Sequence, residues 1–181
     1  MPRHLAFLRA VNLGPHHRVP MAELRERLAD AGFTDVATHI QTGNIALTST
    51  LRSQAKVEAA IEDLLREWRG FEVPTMVRSP TELADLRAAV EKVPRLVGQG
   101  ARRYVAFAKG EVGKDAAEAL TAYEESPERC RVVGRDLLLE YDTTFDKVRL
   151  TGSRLEKLAG TPVTTRDLKV VRAIDEKWST R

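Results

Sequence analysis

The chain has 181 residues, with 29 lysines and arginines against 26 acidic residues, 43% hydrophobic and 30% charged residues, and a single cysteine, Cys130. That balance excludes a disordered or collagen-like chain and any intrachain disulfide, and the length suffices for one domain or two small packed subdomains. No stretch approaches the roughly 20 apolar residues that span a bilayer, and "MPRHLAFLRAV" is too short an apolar run for a signal peptide, so a cytoplasmic protein is expected.

Residues 4–11, "HLAFLRAV", predict a strand whose two faces are both largely apolar, hence a central strand. Pro20 suits the first position of a helix, Met21, Leu24 and Leu28 form its apolar stripe, and Gly32 ends it. "DVATHIQTGNIALTS" predicts a hairpin that turns at Thr42-Gly43. A long helix over about 53–69 follows and stops at Gly70, and "FEVPTMVRS" is a fourth strand that Pro74 assigns to a sheet edge. Strand-helix-strand-strand-helix-strand is the ferredoxin-like order.

The capping box Ser79-Pro80-Thr81-Glu82 opens the next helix, and "PRLVGQG" at 94–100 is the best candidate for a boundary. "RRYVAFAK" predicts a strand, Ala116, Leu120 and Tyr123 a helix, and "RCRVVGRDLLLEY" a hairpin turning near Gly134-Arg135. Ser153-Arg154-Leu155-Glu156 predicts a second capping box on a short helix closed by Gly160, and a last helix spans about 165–178. The predicted fold is therefore α+β with two subdomains: a ferredoxin-like βαββαβ unit over 1–79, a connecting helix and linker over 80–100, and a related βαββα unit with an extra C-terminal helix over 101–181. The element order repeats between the halves, whereas the residues do not.

Topology places the polar residues. In a split βαβ unit the third strand begins beside the end of the first, so residues 9–20 and 41–44 share one corner with the start of the first helix. A helix N-terminus leaves N–H groups unpaired and carries partial positive charge, which favours a phosphate or carboxylate. Gly14 lets the backbone approach a ligand, and Arg9, His16, His17 and Arg18 add donors. Gly14 nevertheless fits no phosphate-binding fingerprint.

Blander readings stand beside this one. Asn12 can simply bond the loop backbone, and Arg9 can sit in a structural ion pair. His16 and His17 are adjacent and point apart, and with only His4, His39 and one cysteine elsewhere no metal site is expected. Cys130, mid-strand between arginines, reads as a packed thiol. No serine-nucleophile motif occurs, and no carboxylates pair. No cofactor is expected. The basic clusters His16-His17-Arg18, Arg102-Arg103 and Arg129 to Arg131 are short and read as solvated surface.

"FLRAVNLG", then "VPMAELRERLADAGFTDVATHIQTGN", and "TTRDLKVV" near the C-terminus together resemble the bacterial domain-of-unknown-function family numbered 1697. The resemblance implies two α+β subdomains, the first ferredoxin-like, and supplies no reaction. Its motifs map onto Arg9, Asn12, Gly14, Pro20, Met21, Gln41, Gly43, Asn44, Thr165 and Arg166. This chain departs from the family at Asp167-Leu168-Lys169, where Asn-Trp-Asn is common, and at Ala10 and Pro15, where glycine is common.

Three functions follow as expectations. The first is binding of a small anionic ligand or nucleotide by Arg9, Asn12, Gly14, Arg18, Gln41, Asn44 and Arg166. The second is nucleic-acid binding, although the strands lack an interleaved aromatic pattern. The third is a hydrolase or transferase without a recognisable motif, using His16 or His17 as acid-base groups.

Overall fold

Continuous apolar runs over 5–8 and 45–47 form buried strands, and apolar stripes over 21–30 and 54–69 form helices, as their patterns dictate. The computed structural model describes residues 1–123, 127–144, 147–150 and 152–179. Its elements run β1 (Arg3–Leu8), α1 (Met21–Asp30), β2 (Thr34–His39), β3 (Asn44–Thr48), α2 (Gln54–Arg69), β4 (Thr75–Arg78) and α3 (Pro80–Lys92). They continue with β5 (Arg102–Ala108), α4 (Lys114–Thr121), β6 (Glu128–Val133), β7 (Asp136–Tyr141), α5 (Gly152–Ala159), β8 (Val163–Asp167) and α6 (Leu168–Trp178). The chain divides into two compact units, Met1–Leu83 and the residues from Ala84 on, so the division falls inside α3.

In the first unit the sheet order is β2-β3-β1-β4, with each neighbouring pair antiparallel. This is the ferredoxin-like arrangement, and β1 is central as its two apolar faces require. Leu5, Ala6, Phe7 and Leu8 are all fully buried. Ala6, Leu8, Ile45, Leu47 and Val77 pack with Leu24 and Leu28 of α1 and Val57, Ile61 and Leu65 of α2 in one core. Each buried leucine or isoleucine there contributes about 1.5–3 kcal/mol. Gly70 ends α2 with φ 74, and β4 takes the edge position that Pro74 demands.

An edge strand offers unpaired N–H groups to any other strand. On β4 those of Thr75 and Val77 instead donate to Glu62 Oε1 at 2.7 Å and Glu58 Oε1 at 2.8 Å, two carboxylates one turn apart on α2. The capping box that opens α3 is formed as expected. Ser79 N donates to Glu82 Oε2 at 2.6 Å, and Glu82 N donates to Ser79 Oγ at 3.1 Å.

The second unit differs from expectation in three places. A strand, β8, occupies Val163–Asp167, where the last helix was expected to begin. Val163, Thr164 and Thr165 are β-branched and fit a pleated ladder better than a helix. Asp167 then caps α6, its side chain accepting from Lys169 N at 2.8 Å. The unit is therefore βαββαβα, with sheet order β6-β7-β5-β8, the same arrangement as the first. Second, Ser153 lies inside α5 and not before it, and Glu156 accepts from Val163 N at 3.0 Å. Third, residues 94–100 are pinned to the second unit: Glu140 Oε1 accepts from the N–H groups of Leu96 at 3.0 Å and Val97 at 2.9 Å.

The two units match in register. Leu8 faces Thr75 across β1 and β4, and Ala108 faces Val163 across β5 and β8. On this match Ala6-Phe7 corresponds to Ala106-Phe107, and the buried Arg78, paired with Leu5, corresponds to the buried Arg166, paired with Val105. Arg9 N donates to Pro74 O, and Lys109 N to Pro162 O, each at 2.9 Å. Glu62 on Thr75 and Glu156 on Val163 are the same edge-capping device twice.

Candidate ligand-binding corner

The strand expected over 4–11 stops at Leu8. Its last two ladder-like bonds are Leu8 N to Gly43 O at 2.8 Å and Arg9 N to Pro74 O at 2.9 Å. Beyond them Ala10 and Asn12 turn left-handed, with φ 54 and 58, so the backbone leaves the sheet. Phe7 pairs with Asn44, which puts the start of β3 beside the end of β1 as the topology requires.

Asn12 organises the loop that follows. Its Nδ2 donates to Val19 O at 2.9 Å and to Gln41 O at 2.7 Å, while its Oδ1 accepts from Val19 N at 2.9 Å. Asn12 N also donates to His17 O at 3.1 Å. One side chain thus closes the 12–19 loop and ties it to the hairpin turn, so Asn12 and Gln41, 29 positions apart, do meet. Asn44 is fully buried, and its amide donates to His39 O at 3.0 Å and Thr42 Oγ1 at 2.9 Å. It holds the turn from inside. Gly43 (φ 76) packs so closely that a Cβ there would lie 2.7 Å from Leu8 Cβ and 2.9 Å from Val11 Cγ2.

The remaining residues divide by exposure. Arg9 is half-buried, and Arg18, His16 and Gln41 are exposed. Gly14 (φ 122) is exposed with open space where a Cβ would stand. His17 is exposed too, with its ring 4.6 Å from that of Phe71, centroid to centroid. Leu13 and Ile40 expose apolar surface on the two joined segments. α1 begins after Pro20 with no side-chain cap on its N-terminal N–H groups. Arg166 belongs to the second unit, on β8; its Nη1 donates to Thr164 Oγ1 at 2.8 Å and Thr165 O at 3.0 Å, and burial lowers its pKa to about 10.

The counterpart of this corner in the second unit, where β5 ends beside the β6–β7 turn, opens on a cleft of about 430 Å³ lined by Lys109, Gly110, Glu111 and Arg135. Cys130 is buried and its thiol is pushed up to about 12, chiefly by desolvation, so it is packed and unreactive. Among the described residues no three histidine, cysteine or acidic side chains are grouped to hold a metal, and no helix is long and apolar enough to cross a membrane.

Sequence reasoning passed over the buried pair of Arg103 and Glu140, whose side chains are 8% and 0% exposed and 2.7 Å apart. The signal was present as alternate positions on paired strands, Arg103 facing Glu140, but it is only visible once the register is known.

The protein family described as "Protein of unknown function (DUF1697)" matches residues 1–138. The fold is similar to that of a solved structure, a conserved bacterial protein, SP0830, from Streptococcus pneumoniae, at a TM-score of 0.72 and 23% identity over 97% of each chain. No curated protein matches.

Proposed function

We propose that this chain, which belongs to the DUF1697 family of proteins of unknown function, binds a small anionic ligand or nucleotide at the corner between the end of β1, the start of α1 and the β2–β3 turn. The observation that carries this reading is concentrated backbone strain. Ala10, Asn12, His17 and Ile40 are non-glycine residues held at φ 54, 58, 53 and 51 within the two segments that Asn12 joins. Asn adopts this conformation readily, whereas at Ala10, His17 and Ile40 a left-handed residue costs roughly 1–2 kcal/mol, and such strain persists where a fixed loop shape serves a site.

That shape surrounds an uncapped helix N-terminus, which attracts negative charge. The groups facing solvent there are Arg18, His16 and Gln41, with the Gly14 backbone approachable. Asn12 and Asn44 act as positioning residues, their amides committed to the backbone and the turn. Arg9, half-buried, completes the proposed set within this unit; Arg166 lies in the second unit, buried on β8, and is not part of this corner.

Thermal unfolding in the presence of inorganic phosphate, citrate and ATP tests the reading. A ligand at a hundred times its Kd adds about 2.7 kcal/mol, and Arg18→Ala with Gln41→Ala is expected to weaken binding at least tenfold while leaving the unliganded melting temperature within about 1 °C. Unchanged affinity in that double variant moves the ligand away from this corner.

A further inference from the structure

We propose a second, independent ligand site in the second unit: a cleft of about 790 Å³ that takes a phosphorylated small molecule carrying several negative charges. It lies where β5 begins, β8 ends and α6 starts, three features that antiparallel pairing of β5 with β8 brings to one place. It does not rest on the corner of the first unit.

One wall is the 93–101 segment, which the buried Arg103–Glu140 pair holds by hydrogen bonds. Arg103 spends its guanidinium inward: Nε on Glu140 at 2.7 Å, Nη1 on Val90 O at 3.2 Å, and Nη2 on Val93 O and Pro94 O at 2.9 and 2.7 Å. Glu140 in turn binds the N–H groups of Leu96 and Val97. The opposite wall is the first turn of α6, where Lys169 and Arg172, three apart, share a face.

The other cations of the cleft are spent differently from Arg103. Arg102 makes one hydrogen bond, to Asp167 at 2.8 Å. Arg172 gives its Nε to Glu91 at 2.8 Å, and Arg95 gives one Nη1 to Ala101 O at 2.9 Å. Each guanidinium has five N–H groups, so among the described residues most of these donors stay open. Lys169 has no side-chain partner among the described residues. The carboxylates Asp167 and Glu91 therefore hold two arginines in place without saturating them. Glu176 also lines the cleft, and Arg87 is tied to Asp175.

Four cations with open donors on fixed walls, in a cleft of ordinary ligand size, suit phosphate groups, which accept several charge-assisted bonds at once. A monocarboxylate would leave most of the donors unused.

Calorimetric titration of the full chain with inorganic pyrophosphate and with ATP tests this. With the first-unit corner removed by Arg18→Ala/Gln41→Ala, binding of either probe is still expected, and adding Lys169→Ala/Arg172→Ala to that background is expected to weaken it at least tenfold. Arg95→Ala, on the opposite wall, is expected to weaken it several-fold, and circular dichroism and thermal unfolding confirm that each variant is folded. Absence of binding at 10 mM of either probe overturns the proposal. So does binding, in the Arg18→Ala/Gln41→Ala background, that Lys169→Ala/Arg172→Ala leaves undiminished. Binding of a single-stranded RNA 12-mer through Lys169 and Arg172, with neither small probe bound, replaces the small-molecule class with nucleic acid.

Discussion

Ala10 and Gly43 sit on adjoining segments and predict opposite responses to one methyl group. Ala10 holds φ 54. Glycine there relieves roughly 1–2 kcal/mol of left-handed strain and costs about 0.4–1 kcal/mol in unfolded-state entropy. Ala10→Gly is thus expected to stabilise the chain by about 0.5–1 kcal/mol, seen as a melting temperature raised by about 1–4 °C. Gly43→Ala is expected to destabilise by about 2 kcal/mol or more, because the new Cβ meets Leu8 Cβ at 2.7 Å as well as taking a positive φ of 76. Calorimetry on the two variants checks both signs. Gly43 was legible in the sequence, since a tight turn between two strands requires it. The role of Asn12 was legible in kind, as a side chain that bonds loop backbone. The left-handed twists at His17 and Ile40 were not: histidine favours positive φ only weakly and β-branched isoleucine disfavours it.

At the scale of elements, edges explain what a one-dimensional reading cannot see. Glu58 and Glu62 read as polar positions on a long helix, yet their carboxylates close the outer N–H groups of β4. Glu58→Ala leaves Val77 N–H without this acceptor at a buried position, a loss of about 1–3 kcal/mol. It also reopens an edge strand. The expected result is a lower urea midpoint together with concentration-dependent self-association in light scattering; Glu67→Ala, on the exposed face of the same helix, should change neither. Where local chemistry decides the outcome, the sequence was readable: the Ser79–Glu82 box, the glycine stops at Gly70 and Gly160, and the hairpin at Gly134 all form. β8 was missed because the helical register of Val171, Ile174 and Trp178 runs backwards without a break into Thr165 and Arg166. The β-branched run Val163-Thr164-Thr165 favours a strand, and pairing with β5 fixes it. The same pairing reveals the repeat: Ala6-Phe7 and Ala106-Phe107 stand at equivalent positions, a dipeptide too short to register as a repeat by itself.

The whole molecule is two units of one topology, and each holds one tryptophan: Trp68 on α2 and Trp178 on α6. Each unit can therefore be followed separately during acid unfolding. Glu140 is the group to perturb. Burial pushes its carboxyl up, but the N–H of Val97, the Arg103 guanidinium and the N–H of Gly98 more than offset this and hold it below the ordinary glutamate value of 4.5. Because the folded state binds the proton less readily than the unfolded chain, this stabilisation is complete above the unfolded value. It drains away as the pH falls below 4.5 and through the lowered folded value. Glu140→Gln removes that dependence and leaves the buried Arg103 without its counter-charge, a cost of about 3–5 kcal/mol at neutral pH. With Trp68→Phe as background, the fluorescence of Trp178 is expected to report a much lower urea midpoint at pH 7 for Glu140→Gln, and a smaller loss of stability between pH 5 and pH 3 than in the parent. With Trp178→Phe as background, the Trp68 transition is expected to keep its midpoint, since Glu140 and all its partners lie in the second unit. If both tryptophans shift together by the full amount, the two units unfold as one and the division of the chain is architectural only.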